Sequence, residues 1–403
     1  MFILGTQWES LSTRIVAQLP SSFTEGKTAT ASTTAAPADV EVAAIEPFNV
    51  TFETALACLR LTTPGLDGIS YPTDAEAHFL ELNRTLASFL PESLPMHRWI
   101  DYAGPWVENY WINSFNERWL QRPNGTRLKD LFGPFIPIFF PFADARARYK
   151  GYPFYPAGLV QALNASLRRN CLYVTVSQHD EGVFGMPKGA AMHLKDRIRL
   201  TDFPNLLVLS AGGYGHVPLP LLKRPEKQLP LKPMASRPYF TSFIGSKNGG
   251  KMRIIMSDIV EKWARNNSKE VSLIFRYVPN WKEITLNSSI GLAPRGWGRS
   301  SFRTSELLRM GRVPVYIWND EPWMFYRELW EKELIGFSSQ LSGLTGLLDR
   351  INSNLRQVEA MEERIRGLRD SHFSYEGVMD QISKFLTGGS SDLRCQSLPK
   401  RIN

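Results

Sequence analysis

Short apolar runs that favour β-strands alternate with helical stretches in the second half of the chain. The pattern predicts strands at 240–244, 271–277 and 313–318, with helices at 251–266 and 301–310. Each helix of such a series returns the chain to the edge of the sheet where the next strand begins, so the strands run parallel. The alternation therefore predicts a doubly wound α/β sheet.

The first half shows a weaker form of the same pattern. An apolar run bounded by proline and glycine at 132–143 predicts a buried strand, and a helical stretch at 158–169 precedes a second strand at 171–176. A third strand, at 206–209, runs into a glycine-rich turn. Strand, helix and strand in this order begin a second α/β sheet.

The 403 residues are enough for two domains, and composition indicates where they divide. Residues 20–44 are rich in Ser, Thr, Ala and Pro, and residues 218–238 hold six prolines without periodicity, as a linker would. Amphipathic stretches at 323–334, 344–369 and 375–386 predict helices that close the structure. The predicted organisation is a disordered tether over 1–47, an N-terminal Rossmann-like domain over 48–230, a C-terminal Rossmann-like domain over 231–386, and a tail over 387–403.

Positive charge is concentrated in one region. The formal net charge is +8, but residues 187–310 alone carry 21 Lys or Arg against 8 Asp or Glu. Such a field attracts phosphate, sulfated glycans, nucleic acid or an anionic membrane. No nucleic-acid-binding motif is present, so we expect an anionic small molecule or glycan and no nucleic acid.

Two features bear on the compartment. Cys58, Cys171 and Cys395 form no metal-binding or C-x-x-C spacing, and at most one disulfide can join two of them. Six N-x-S/T acceptors favour a secretory location. They are Asn49, Asn83, Asn124, Asn164, Asn266 and Asn287. No signal peptide or apolar run long enough to cross a membrane is visible.

Four tryptophans lie close together in the first half, at Trp99, Trp106, Trp111 and Trp119. Their rings could stack on sugars, but irregular helical spacing is more typical of core residues. We expect these four side chains to belong to the hydrophobic core.

The predicted strand 240–244 leads into a turn of small and basic residues ahead of a helix. Gly245, Ser246 and Lys247 open this turn. Backbone N–H groups at such a helix start bind phosphate. The turn lacks the ending of a P-loop, and a plain tight turn is an equally good interpretation.

The strongest local feature is the run L-A-P-R-G-W-G-R-S-S-F-R-T-S-E-L-L-R-M-G-R-V-P-V at 292–315. Its glycines let backbone approach a ligand, its serines suit the cap of the next helix, and its arginines suit a diphosphate. Arg303 and Glu306 share a helix face, where Glu306 could accept from two ribose hydroxyls or form a surface ion pair with Arg303. The candidate residues are Arg295, Gly296, Gly298, Arg299, Ser300, Ser301, Arg303 and Glu306.

Acidic and basic groups follow two of the predicted strands. His179, Asp180 and Glu181 come directly after the strand at 171–176, and any of them could accept a proton from an acceptor hydroxyl or simply stabilise the loop. Asp320 and Glu321 follow the strand at 313–318. For these two, a solvated surface position is favoured over an acceptor-side role.

The run at 292–315 resembles the signature of the exostosin-type glycosyltransferases, with its glycine-rich turn, an Arg, a Glu three residues later, a Gly and a Pro-Val strand. Three shorter runs resemble the family in the same order: F-I-P-I-F-F-P-F-A-D-A, V-S-Q-H-D-E-G and Y-F-T-S-F-I-G-S. The resemblance spans roughly 132–386.

The resemblance implies a GT-B fold, with two Rossmann-like doubly wound domains facing a cleft and C-terminal closing helices. It implies an inverting transfer of a sugar from a nucleotide donor, a UDP-sugar, to a glycan or glycoprotein acceptor, without a metal ion or other cofactor. The alternative is a catalytically inactive glycan-binding or partner subunit, and homo- or hetero-oligomers remain open.

In this picture one set of residues holds the donor and another activates the acceptor. Glu306 holds the ribose, while Arg295, Arg303, the turn at 296–301 and Gly245 to Lys247 line the diphosphate groove. Asp180 with His179 are the candidate base. The family further implies the Golgi lumen or membrane and an N-terminal membrane anchor, which this sequence does not show.

Overall fold

A computed structural model describes residues 47–63, 65–89, 107–143, 145, 155–184, 198–223, 230, 232–247 and 251–398. The predicted tether, apart from Pro47, lies outside the described residues, as do Trp99 and Trp106. No helix in the described part of the chain is long and apolar enough to cross a membrane.

The first half forms a parallel four-stranded sheet with helices around it. Its elements are α1 (Pro47–Arg60), α2 (Ala75–Ala87), α3 (Val107–Leu120), α4 (Leu128–Phe132), β1 (Phe135–Pro137), α5 (Leu159–Ser166), β2 (Leu172–Ser177), β3 (Leu206–Ser210) and β4 (Val217–Pro218). The strands lie in the order β1-β2-β3-β4. Every residue of these strands is buried, which explains their continuous apolar character.

The second half forms a parallel five-stranded sheet. Its elements are β5 (Tyr239–Ile244), α6 (Lys251–Asn266), β6 (Val271–Ile274), α7 (Trp281–Leu286), β7 (Ser288–Pro294), α8 (Phe302–Arg309), β8 (Pro314–Trp318), α9 (Arg327–Glu331), β9 (Phe337–Gln340), α10 (Leu344–Ser353), α11 (Leu355–His372) and α12 (Tyr375–Thr387). The strand order is β6-β5-β7-β8-β9, so the direction of winding reverses between β5 and β7. This sheet is doubly wound, and ligands of such sheets bind at the reversal.

Several predicted elements are shorter than expected, and three strands, β4, β7 and β9, were not predicted. The apolar run at 132–143 gives only three strand residues, because Phe132 ends α4 and prolines interrupt the rest. β7 contains two serines and a glycine, and β9 is largely polar, so neither has the apolar pattern of a strand. Their positions in the sheet come from pairing with β8 on both sides.

The tryptophans of α3 are core residues, as expected. Trp111 and Trp119 are 0% and 4% exposed. Trp111 makes an edge-to-face contact with Phe139, and Trp119 makes one with Phe79 of α2. These aromatic pairs pack the helices of the first half against one another.

The last helices cross from the second half to the first. The predicted helix 344–369 is two helices, α10 and α11, which meet at Asn354. α12 packs on α4 and α3 of the first half. A Cβ atom on Gly133 would lie 1.9 Å from the carbonyl oxygen of Leu386, so glycine allows this close approach.

A buried ion triad connects helix α11 to the residues just before strands β5 and β8 of the second sheet. Arg237, just before β5, pairs through both terminal nitrogens with Glu362 of α11, at 2.8 and 3.0 Å. Arg312, before β8, lies 3.0 Å from the same carboxylate. Burial lowers the pKa of Arg312 to about 10, although Glu362 opposes the shift. Because all three side chains are almost fully buried, each needs the others to compensate for lost hydration.

One disulfide ties the end of the chain to its beginning. Cys58 of α1 is bonded to Cys395, which follows α12, and Cys171 is a free, buried thiol. The backbone N–H of Gln396 also donates to the carbonyl oxygen of His216, beside β4. The described part of the predicted tail therefore belongs to the packed structure of the first half.

Removal of this disulfide should destabilise the protein. We expect Cys58→Ser to lower the free energy of unfolding by about 2–4 kcal/mol, because the bond restricts a long segment of the unfolded chain. Thermal unfolding with and without dithiothreitol measures the effect. Dithiothreitol should lower the unfolding temperature of the wild type and leave that of Cys58→Ser unchanged. Equal sensitivity of the two proteins would contradict the bond.

Candidate active site

Loops at the carboxyl ends of the two sheets are in backbone contact. A Cβ atom on Gly298, which follows β7, would lie 2.1 Å from the carbonyl oxygen of Gly212 and 2.9 Å from the Cα of Asp180. A Cβ atom on Gly212, which follows β3, would lie 1.8 Å from the carbonyl oxygen of His179. The three loops can meet this closely only because both positions are glycine. The carboxyl edges of the sheets therefore face each other.

Polar contacts reinforce the same junction. The hydroxyl of Ser300 donates to the carbonyl oxygen of Gly212 at 2.9 Å, and the indole N–H of Trp323 donates to that of Ser210 at 3.2 Å. Ser301, the residue before α8, makes no capping bond with its side chain. The prediction of a side-chain cap for α8 is therefore wrong for Ser301, and the hydroxyl of Ser300 donates across the junction.

Asp320 is part of this junction as well. Its carboxylate lies 2.9 Å from Nη2 of Arg299 and 3.9 Å from Nε of Arg295. Arg299 is 1% exposed, and burial lowers its pKa while Asp320 opposes that shift. Asp320 is exposed, as expected, but its carboxylate also supplies the counter-charge that the buried guanidinium of Arg299 needs.

On the first sheet, His179 and Asp180 form a close pair. Nδ1 of His179 lies 2.7 Å from Oδ1 of Asp180, and the backbone N–H of Glu181 lies 3.1 Å from the same oxygen. The same Nδ1 also lies 3.2 Å from the backbone N–H of Glu181. In the tautomer with its proton on Nδ1, the imidazole donates to the carboxylate and Nε2 is the nitrogen that can accept a proton. The two side chains are 25% and 37% exposed, so solvent reaches both.

A buried carboxylate supports the loop that carries this pair. Glu108 of α3 is 0% exposed and accepts from the backbone N–H of Gln178 at 3.0 Å and of Ala143 at 2.8 Å. Gln178 in turn accepts from the N–H of Val107 at 2.6 Å. The loops after β1 and β2 are therefore held by one helix. Sequence patterns gave no indication of Glu108, because its partners are backbone groups distant along the chain.

On the second sheet, Glu306 of α8 lies between two cations. Its Oε1 lies 2.8 Å from Nζ of Lys223, and its Oε2 lies 3.1 Å from Nη1 of Arg303. Burial alone would raise the pKa of Glu306, but Arg303 and Lys223 outweigh it and bring the pKa below its ordinary value. The expected ion pair with Arg303 forms. It is buried rather than a surface contact, since Glu306 is 7% exposed.

Two arginines converge on the loop after β5. Arg253 of α6 donates to the carbonyl oxygen of Ser246 at 2.7 Å and to that of Arg295 at 3.4 Å, and Arg303 donates to that of Ile244. Burial and the charge of Arg303 lower the pKa of Arg253 to about 10. Its Nε is buried and has no hydrogen-bond partner in the described part of the chain.

The remaining predicted donor-side residues lie around the same two loops. Gly245 is bonded through its N–H to the carbonyl oxygen of Ile274, and Lys247 is exposed above the ring of Phe275. Gly296 donates to the carbonyl oxygen of Ser300 at 2.9 Å. These loops follow β5 and β7, the two strands between which the winding reverses. The structure thus brings Gly245 to Lys247, Arg295 to Ser301, Arg303 and Glu306 to one edge of the second sheet.

No sequence pattern indicated Lys223 or Arg253 as site residues. Lys223 lies in the proline-rich stretch taken as a linker, and Arg253 lies two residues inside a helix with ordinary amphipathic spacing. The local excess of positive charge was the available signal, but it did not single out these two residues. Among the described residues, no three His, Cys, Asp or Glu side chains group closely enough to hold a metal ion.

The candidate glycosylation sites differ in exposure. Asn124, Asn164 and Asn266 are exposed, and Asn83 is half-buried. Asn287 is half-buried at the start of β7, and its Oδ1 is buried without a hydrogen-bond partner. The side chain of Asn49 lies outside the described residues. The first three asparagines are the ones with the freest access for an oligosaccharide.

Two parallel α/β sheets whose carboxyl edges face each other, followed by helices that return to the first half, form a GT-B type fold. No family model and no curated protein sequence matches the chain. The solved structures to which it is similar include TarM, HepE and MurG.

The three structural neighbours share little sequence with this chain. TarM is 8% identical over 57% of this chain and 53% of its own, with a TM-score of 0.32, so the match spans about half of TarM. HepE of Anabaena, solved in complex with UDP, is 11% identical, and the match covers 61% of this chain and 82% of HepE, with a TM-score of 0.34. MurG of Acinetobacter baumannii is 9% identical, and the match covers 69% of this chain and 78% of MurG, with a TM-score of 0.29.

Gly298→Ala should destabilise the junction between the sheets. The added methyl group would overlap the backbone of Gly212 and Asp180, and we expect a loss of about 2 kcal/mol in the free energy of unfolding. Gly296→Ala is the matched control, because its Cβ would meet only the carbonyl oxygen of Ser300, at 3.4 Å. Urea unfolding compares them. Equal losses in both variants would contradict the contact.

Glu306 should make stability depend on pH in the acid range. Its pKa in the fold lies below the ordinary 4.5, so its contribution is complete above pH 4.5 and declines as the pH falls through the lowered pKa. We expect Glu306→Gln to cost about 3 kcal/mol at pH 6 and progressively less towards pH 3.

Urea unfolding at several pH values measures this difference. Glu283→Gln is the control, because Glu283 is an exposed carboxylate on the neighbouring helix α7. A gap between wild type and Glu306→Gln that does not change with pH would contradict the assignment.

Proposed function

We propose that the protein is a glycosyltransferase that moves a sugar from a UDP-sugar to a glycan acceptor, with inversion and without a metal ion. The observation that supports this most directly is the convergence of Arg253 and Arg303 at the point where the second sheet reverses its winding. Like charges held side by side in a partly buried position are stabilised by an anion with several oxygens, and a diphosphate is such an anion.

The charges around these arginines leave room for a further negative group. The carboxylate of Glu306 is shared between Lys223 and Arg303, and that of Asp320 is paired with Arg299. Arg253 is held by two backbone carbonyls, and the charge that shifts its pKa is the positive charge of Arg303. A diphosphate would supply the missing counter-charge. Glu306, at the same edge, would accept from ribose hydroxyls while its cations hold it in place.

The His179–Asp180 pair would act on the acceptor. Nε2 of His179 takes the proton of an acceptor hydroxyl, and Asp180 stabilises the imidazolium that forms. The acceptor oxygen then bonds to the anomeric carbon on the face opposite the leaving group. The bond from that carbon to the phosphate oxygen breaks, and the diphosphate leaves with the electron pair. Arg253, Arg303 and Arg295 stabilise the charge that develops on it.

The finer assignment is to an exostosin-like transferase of the secretory pathway. The run at 292–315, which resembles the exostosin signature, supports this assignment. It folds as a strand, a glycine-rich loop, a helix and a strand. The Cys58–Cys395 disulfide suits an oxidising lumen such as that of the Golgi. The exposed acceptors Asn124, Asn164 and Asn266 suit the same compartment, which adds N-glycans.

Thermal-shift titration with UDP, GDP, ADP and CMP in EDTA tests the donor site. We expect a shift for UDP, and we expect Arg253→Gln to weaken UDP binding about tenfold or more because a charged hydrogen bond is lost. Arg265→Gln, an exposed arginine at the other end of α6, should bind UDP as the wild type does.

Three outcomes would overturn parts of the proposal. Absence of a shift with every nucleotide would overturn the donor site. A UDP shift without turnover of any UDP-sugar would overturn the enzymatic assignment and favour a glycan-binding partner subunit. A shift that needs added manganese would overturn metal independence.

A further inference from the structure

One large aromatic side chain at the junction of the sheets is exposed to solvent. Trp297 is 70% exposed, whereas Trp111, Trp119, Trp263 and Trp323 are each less than 5% exposed. It stands between Gly296 and Gly298 in the loop after β7. Single exposed apolar residues are common on protein surfaces, so the position of this one and the rigidity of its loop carry the argument.

The loop around Trp297 is firmly held. The N–H of Gly296 donates to the carbonyl oxygen of Ser300 at 2.9 Å, which closes the loop on itself. Nη1 of Arg295 donates to the carbonyl oxygen of Gly298 at 3.3 Å. Arg299 is almost fully buried and paired with Asp320. A rigid loop that presents an indole to solvent offers a binding surface with little conformational entropy to lose.

The position of the loop indicates which substrate, donor or acceptor, lies near Trp297. Gly298, the next residue, packs against Asp180, with a Cβ position 2.9 Å from the Cα and Cβ of that residue. Asp180 is paired with His179, the group to which we assign the acceptor proton. Arg253 of the diphosphate cluster contacts the start of this loop, at the carbonyl oxygen of Arg295 (3.4 Å), and the Gly298 end, next to Trp297, is the part that contacts Asp180.

We propose that Trp297 forms the floor of an acceptor subsite, where its indole stacks on the apolar C–H face of a pyranose ring. The stacked ring would belong to the acceptor glycan and lie beside the His179–Asp180 pair. The indole covers one face of the sugar, and the ring hydroxyls stay free for hydrogen bonds around the rim. This inference rests on the proposed function, because it names the second substrate of the same site.

Glycan binding and UDP binding, measured on the same proteins, test the inference separately from the proposed function. A printed array of neutral and anionic oligosaccharides is probed with the full chain in the presence of UDP, and the thermal shift with UDP is recorded in parallel. The variants are Trp297→Ala and Trp297→Phe. The matched control is Tyr277→Ala, because Tyr277 is 78% exposed and follows β6, two strands away from β7.

We expect Trp297→Ala to weaken binding of the array glycans about tenfold, and Trp297→Phe to keep most of it because an aromatic face remains. Tyr277→Ala should bind the glycans as the wild type does, and both Trp297 variants should keep the UDP shift.

Unchanged glycan binding in Trp297→Ala, or no glycan bound by the wild type, would overturn the inference while the UDP shift persists. Loss of the UDP shift in Trp297→Ala would overturn it in favour of stacking on the nucleobase. Failure of the proposed function is distinct, because it would appear as a wild type without any UDP shift.

Discussion

The arrangement of the candidate site depends on a contact between backbones. Gly212 and Gly298 bring three loops so close that a single methyl group on either would overlap another chain segment. Backbone that packs on backbone cannot adjust as side chains do, so the contact fixes the distance between the two sheets. The His179–Asp180 pair on one sheet and the arginines on the other owe their proximity to it.

Electrostatics then distinguishes the two sides of the junction. Asp320 compensates Arg299 within the contact itself, so this pair contributes structure rather than an open charge. Glu306 is held by Lys223 and Arg303, and its pKa stays low despite burial. Arg253 donates to two carbonyl groups and lies over the ring of Phe243, so it leaves the second sheet's edge positive. The acidic and basic pair at the first sheet's edge is more open to solvent.

Sequence patterns located the main elements because these depend on local preferences. Alternating apolar runs gave β2, β3, β5 and β8, and α6 has the predicted bounds. The glycine-rich run at 292–315 lies at the reversal of the second sheet, where a site of this kind belongs. The side-chain partners were harder to predict. Ser301 makes no capping bond with its side chain, and the hydroxyl of Ser300 donates to a carbonyl of another loop.

The sequence by itself determined the α/β class, the approximate division into two halves and the positive character of the second half, because these follow from periodicity and composition. Only the tertiary structure decided which cysteines pair, and it joined Cys58 to Cys395 across 337 residues. It also paired Lys223 with Glu306, and it left Trp297 exposed in the loop whose Gly298 contacts Asp180. These contacts join residues that are far apart along the chain or separated by a turn, and no local preference specifies which distant groups meet when two sheets pack edge to edge.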